Sequence, residues 1–251
     1  MVWIPVVMLF DMVPPSRSPW WIVYGILMFL FSLVWADSIR LQVLKNAEDR
    51  NQKTCDPDGL LDTIEELLPL IKSKPNTILF SMDKASAMMQ LGKYDDALRL
   101  LKENDVDTST GITTPVKFIY YNNLACAYMK LGQLELVPFI LDKSKIILDT
   151  MKNKPKMHRE LNRVFQSTLA ELKFHQHHFD EAYDILTKVD ITDLHRKDHV
   201  NFSLLKAKIL IAKNRPEEAV PLLHSVMEFG NKLHDTVEAK ELLEQYGTAT
   251  W

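Results

Sequence analysis

Two columns of alanine constrain this chain more than any other feature. Four segments align without gaps: Ser81–Leu101, Tyr121–Leu141, Gln166–Leu186 and Ser203–Leu223. The early column reads Ala85, Ala125, Ala170 and Ala207. Twelve residues on, the late column reads Ala97, Val137, Ala182 and Ala219. The chain has 14 alanines and seven of them stand in these two columns, which makes a repeat the economical explanation. Two antiparallel helices can approach closely only where a small side chain sits at their crossing. Leu101, Leu141, Leu186 and Leu223 follow the late column by four residues, on the same helix face. Each segment therefore predicts a helical hairpin.

The break between the two helices recurs as well. It reads Leu91-Gly92, Leu131-Gly132, His177-His178 and Asn214-Arg215-Pro216. Gly and Asn tolerate a left-handed residue at a helix end, and Pro suits the first turn of the next helix. Asp95-Asp96, Asp180-Glu181 and Glu217-Glu218 put negative charge at the positive end of the second helix. Pro75, Pro115 and Pro155 mark the starts of first helices. Pro138 and Pro221 fall where second helices are expected, and each should bend its helix. Only 7 residues of 251 are Gly, in keeping with a mainly helical chain.

The small residue on the first helix, the Leu-Gly turn, the aromatic at Tyr94 or Phe179 and the acidic-Ala pair together resemble the tetratricopeptide repeat family, over about Thr77–Phe229. The turns are spaced 40, 45 and 37 residues apart, longer than the ~34 of that family. The aromatic that opens the family's first helix is present only as Tyr121. The resemblance implies an all-α fold, a right-handed stack of antiparallel helical hairpins forming a tetratricopeptide-like solenoid. The expected organisation is a short apolar segment at 1–19, a transmembrane helix at 20–36, a starter hairpin at 37–74, four repeats at 75–230, and a C-terminal capping helix and tail at 231–251.

The membrane helix is read from Trp20–Ala36, which carries no charge and is flanked by Trp20, Trp21 and Trp35. Seventeen residues span about 25 Å, slightly short of a hydrocarbon core of about 30 Å. A cleaved signal peptide ending near Val34-Trp35-Ala36 is a second reading, although only Arg17 precedes the apolar run. A membrane hairpin using Val2–Phe10 is a third. Arg40, Lys45 and Arg50 follow the span, which favours a single-pass membrane protein with a cytoplasmic C-terminal domain.

The net charge of −3 supplies no basic surplus for phosphates, so a nucleic-acid partner is not expected. Cys126 falls within a helix expected to be buried and Cys55 in a polar connection, both read as free thiols. No pair of glycines can cradle a phosphate, and no thiol has an evident histidine partner. His195 and His199 lie four apart, but Arg196 stands where a zinc-protease motif needs Glu. The expectation is therefore no enzyme, no cofactor and no metal.

In the resembled family the first helices line the face that binds partners. Carried over by column, that face holds Met82, Ser86 and Met89 from the first repeat, Asn122, Cys126 and Met129 from the second, and Ser167, Glu171 and Phe174 from the third. The Lys and Arg that clamp a terminal carboxylate in some members are absent from those columns. A Met-rich groove suits an apolar, adaptable contact such as a partner helix. The expected function is a membrane-anchored scaffold or adaptor that recruits a protein or peptide to the bilayer. The alternative is an exported or envelope-facing chaperone or assembly factor.

Overall fold

The fold is given by a computed structural model that describes residues 20–104 and 106–247. The apolar segment expected at 1–19 and the last four residues of the tail lie outside the described residues. The chain divides into two compact units, Met1–Gln42 and Val43–Trp251.

Helix α1, Trp20–Thr54, begins in the first unit and ends in the second. Its 35 residues rise about 52 Å. The apolar run does not end at a helix boundary near Ala36; the helix continues without a break into a charged stretch. It is long and apolar enough to cross a membrane, and none of its apolar window is buried within the structure. Ile26, Leu27, Phe29 and Phe31 are all exposed.

The second unit is a stack of antiparallel helical hairpins. After α2, Pro57–Leu67, and a single 3-10 turn at Leu68–Leu70, the first helices of the four repeats are α3, Lys74–Gln90, α5, Thr114–Lys130, α7, Pro155–His175, and α9, Arg196–Ala212. Their second helices are α4, Tyr94–Glu103, α6, Val137–Asp149, α8, Phe179–Thr187, and α10, Pro216–Phe229. Helix α11, Asp235–Tyr246, follows and packs on α9 and α10. First helices pack on one another along the stack, and each second helix also meets the first helix of the next repeat.

All seven column alanines are fully buried, as the crossing argument requires. Val137 fills the remaining place in the late column and is buried too. Phe80, Phe118, Leu101, Leu148, Leu186 and Leu223 occupy the space between helices.

The four turns share one backbone design. Gly92 (φ 76°), Gly132 (φ 70°), His177 (φ 62°) and Asn214 (φ 58°) are left-handed at the same position. At the first turn Gly92 N–H donates to the Met89 carbonyl at 3.0 Å and Lys93 N–H to the Met88 carbonyl at 2.9 Å. The same two bonds recur after α5, α7 and α9. This is a Schellman motif, which satisfies the last carbonyls of the helix and turns the chain sharply.

Two expectations change. Pro138 does not interrupt a helix: the chain makes a 3-10 turn at Leu134–Leu136 and α6 starts at Val137, placing Pro138 in its first turn, where its missing N–H costs nothing. Pro221 does lie inside α10. Cys55 is not in a polar setting. It adopts φ 54° after α1 and is fully buried against Val200, Leu204 and Leu233.

The turn design predicts opposite effects at two equivalent positions. His177→Gly should stabilise the protein by about 1 kcal/mol, because a β-carbon is penalised at positive φ. Gly92→Ala should destabilise by more than that. It meets the same penalty, and its new Cβ would stand 2.8 Å from His234 Nδ1. Urea unfolding of the two variants, with unchanged m-values, checks both.

Candidate functional site

A half-buried stripe of the first helices is polar. The sixth repeat position holds Ser86, Cys126, Glu171 and Lys208; the tenth holds Gln90, Lys130, His175 and Ala212. Positions six and ten are i and i+4 on a helix, so they share a face. Along this face the groups connect from helix to helix. Asn51 Nδ2 donates to Gln90 Oε1 at 2.8 Å, and Gln90 Nε2 donates to Ser86 Oγ at 3.3 Å. Thr168 Oγ1 donates to Asn122 Oδ1 at 2.9 Å, with Cys126 Sγ 3.9 Å from the same hydroxyl. Lys130 Nζ lies 2.9 Å from Glu171 Oε1, and Lys208 pairs with Glu238 of α11.

The electrostatics follow from partial burial. Glu171 holds the Lys130 ammonium above its ordinary pKa. Burial pushes the Glu171 carboxyl upward, but the facing Lys130 outweighs it, and the net direction is down. Both groups are therefore charged at neutral pH. Burial, with Glu171 nearby, pushes the Cys126 thiol up to about 12, so it stays protonated and is a poor nucleophile. On α3, burial, reinforced by Glu48, raises Asp83 to about 8 against a weaker opposing effect of Lys197. Burial also raises Asp235, which sits in the field of Lys130 and Lys208.

The segment after α10 is seated against both the first and the last hairpin of the stack. Lys232 N–H donates to the Cys55 carbonyl at 3.2 Å and His234 N–H to the Gln90 carbonyl at 2.8 Å. Asn231 Nδ2 donates to the Thr54 carbonyl at 2.8 Å, and Lys232 Nζ bridges Asp56 at 2.9 Å and Asp58 at 3.6 Å. The His234 ring meets Tyr94 edge-on, with centroids 5.9 Å apart. The first and last hairpins of the stack thus touch through these residues.

The residues expected on the partner face separate into two groups. Met82 and Met129 are 2% and 1% exposed and belong to the core, so they are corrected from groove to packing residues. Met82 stands in column two and Met129 in column nine, and at both places a flexible thioether fills space within the core. Met89 and Phe174 are partly buried against core clusters. Ser86, Cys126, Ser167 and Glu171 are partly accessible, and Asn122 is buried within the polar network. The sequence reading missed Lys130 and Lys208. Lys130 stands one helical turn beyond Cys126, and a search for opposite charges in columns six and ten of adjacent repeats would have found it. His195 stands at the N-cap of α9, and the His199 N–H donates to its carbonyl at 3.0 Å, so the two are one turn apart.

Among solved structures, the chain is similar to one described as the TPR2AB-domain:pHSP90-complex of yeast Sti1. The two are 17% identical with a TM-score of 0.37, over 84% of this chain and 100% of that one. No family model and no curated protein matches the chain.

Two predictions test the electrostatics. Lys130→Met strands the Glu171 carboxylate and should cost about 1–3 kcal/mol, discounted from a fully buried pair because both side chains keep some access to water. Adding Glu171→Gln should recover most of that loss in a chemical-denaturation cycle. Asp83, raised when folded, favours the folded state fully below its unfolded pKa. That contribution is lost as pH rises towards about 8. Asp83→Asn should therefore match the wild type at pH 4 and exceed it by on the order of 1–2 kcal/mol at pH 8.5. Melting curves across that range read the widening gap.

Proposed function

We propose that the chain is a membrane-tethered interaction scaffold that holds a segment of another protein on the face formed by its first helices. The observation that carries this reading is the pairing of two features in one chain. One is a helix whose apolar side chains are left exposed. The other is a repeat face lined by partly accessible hydrogen-bonding groups and charges. Exposed apolar surface of that length is costly in water and favourable in a bilayer. Polar groups held in place by a rigid helical layer suit recognition of a peptide or helix.

In this reading Trp20–Ala36 occupies the hydrocarbon and the charged continuation of α1 emerges from it. Arg40, Lys45 and Arg50 favour placing the repeats on the cytoplasmic side. No catalytic role is proposed; the thiol nearest the face, Cys126, is held protonated.

The tether and the face are tested separately. Ile26→Arg with Leu30→Arg should move the protein from the alkali-resistant membrane pellet to the supernatant, because each central Arg costs about 2.5–3.5 kcal/mol on insertion. Retention in the pellet would refute the tether. A photo-crosslinking residue at Ser86 or His175 should trap one discrete partner band in native membranes, and the same residue at Lys93 should not. Equal trapping at all three sites would refute the face. Protease digestion of the repeats from the outer side of sealed cells would replace the cytoplasmic placement with the exported one.

A further inference from the structure

We propose that residues 231–247 are a built-in ligand that lies on the first-helix face between the first and fourth repeats and is exchanged for a partner segment. The inference rests on that face being the binding surface. Four features carry it.

First, the segment is held by groups that any incoming chain could replace. Two of its backbone N–H groups, at Lys232 and His234, satisfy the carbonyls of Cys55 and Gln90. Asn231 satisfies the carbonyl of Thr54. These bonds are made by main chain or a terminal amide and need no special neighbour.

Second, the charges are complementary. Helix α11 presents Asp235 and Glu238 in its first turn. Glu238 pairs with Lys208, and Asp235 lies in the field of Lys130 and Lys208. Ahead of the helix, Lys232 pairs with Asp56 and Asp58.

Third, the apolar anchorage is concentrated at one point. Leu233 is 1% exposed in the cluster of Cys55, Val200 and Leu204 and anchors the segment. Beyond it, within α11 only Ala239 is fully buried, whereas α10 buries Pro216, Ala219, Leu223 and Val226. Leu242 and Leu243 are partly covered, and Val237 is 49% exposed. A segment held by one leucine, hydrogen bonds and partly screened ion pairs opens at lower cost than a helix held along its whole length by a buried apolar face.

Fourth, the seat is shaped for this segment. Gly92 has no side chain where His234 enters, and Tyr94 meets the imidazole edge-on.

The occupied seat raises the apparent dissociation constant of any competitor by the inverse of the fraction of molecules that are open. The partner best suited to compete is a helix with carboxylates in its first turn, preceded by a basic residue.

The test uses the full-length chain in detergent micelles and a fluorescent synthetic peptide of residues 231–247. Glu238→Lys sets α11 against Lys208, and Lys232→Glu sets the preceding turn against Asp56 and Asp58. Each variant should bind the native-sequence peptide at least tenfold more tightly than the wild type. Each should also exchange the Lys232 and His234 amide hydrogens at least tenfold faster, with exchange in α5–α8 unchanged. Adding Lys208→Glu to Glu238→Lys restores the pair in reverse and should bring back slow exchange and weak peptide binding. Peptide binding that is the same in the wild type and both variants, or absent from all, overturns the proposal. So does faster exchange throughout the stack, which would make the segment part of the core. Because no outside partner or bilayer is used, failure here is distinct from failure to trap a partner in membranes.

Discussion

Close approach of paired helices at alanine governs this structure. A larger side chain at Ala85, Ala125, Ala170 or Ala207 would have to push the second helix away, and overpacking of that kind costs typically 1–3 kcal/mol per site. The tight crossing works only with an abrupt reversal, and the left-handed residue at the head of every turn supplies it. Where the residue is Gly the conformation is easily reached; at His177 and Asn214 the packing of the hairpin must hold it there. The alanine and the turn are one device: neither would position the second helix without the other.

That device also decides what is left over for recognition. Once one face of each first helix is committed to its partner and another to the neighbouring repeats, a narrow stripe remains. At two successive turns this stripe holds Ser86 and Gln90, Cys126 and Lys130, and Glu171 and His175. Polar groups at such positions are only partly covered, so bonding across helices is the economical solution. Lys130 and Glu171 do this between the second and third repeats, and Asn122 and Thr168 do it one turn away. These links carry sequence information on the face itself, whereas Met82 and Met129 fill the interior.

The hairpins could be read from sequence because small residues, turn residues and leucines recur at fixed offsets, and each offset has a local physical cause. The same periodicity did not separate buried from accessible members of that face. A 3.6-residue period places columns two, six and nine close together on a helical wheel. Column six is half-buried in all four repeats, whereas Met82 in column two and Met129 in column nine are buried. Which members are covered depends on the neighbouring hairpins, whose buried residues join one core that no local pattern encodes. Cys55 was misread for the same reason. Its neighbours in sequence are Thr54 and Asp56, while its neighbours in space are Val200 and Leu204, about 150 residues further on. Pro138 shows the converse: a local alternative, the 3-10 turn before it, took the place of an expected bend.

A stack of hairpins leaves an unpaired surface at its end, and something must cover it. An apolar cap would be the more stable solution, at about 25 cal/mol for each Å² removed from water. Here the covering segment buries Leu233 and Ala239 and is otherwise fixed by Lys208–Glu238, by Lys232 with Asp56 and Asp58, and by main-chain bonds to Cys55 and Gln90. Partly accessible ion pairs contribute about 1 kcal/mol or less each. Such pairs are selective in whom they admit and inexpensive to break. A terminal cap needs only the opposite properties, indifference and permanence. The chemistry at this end of the stack is therefore that of a binding site with its ligand in place.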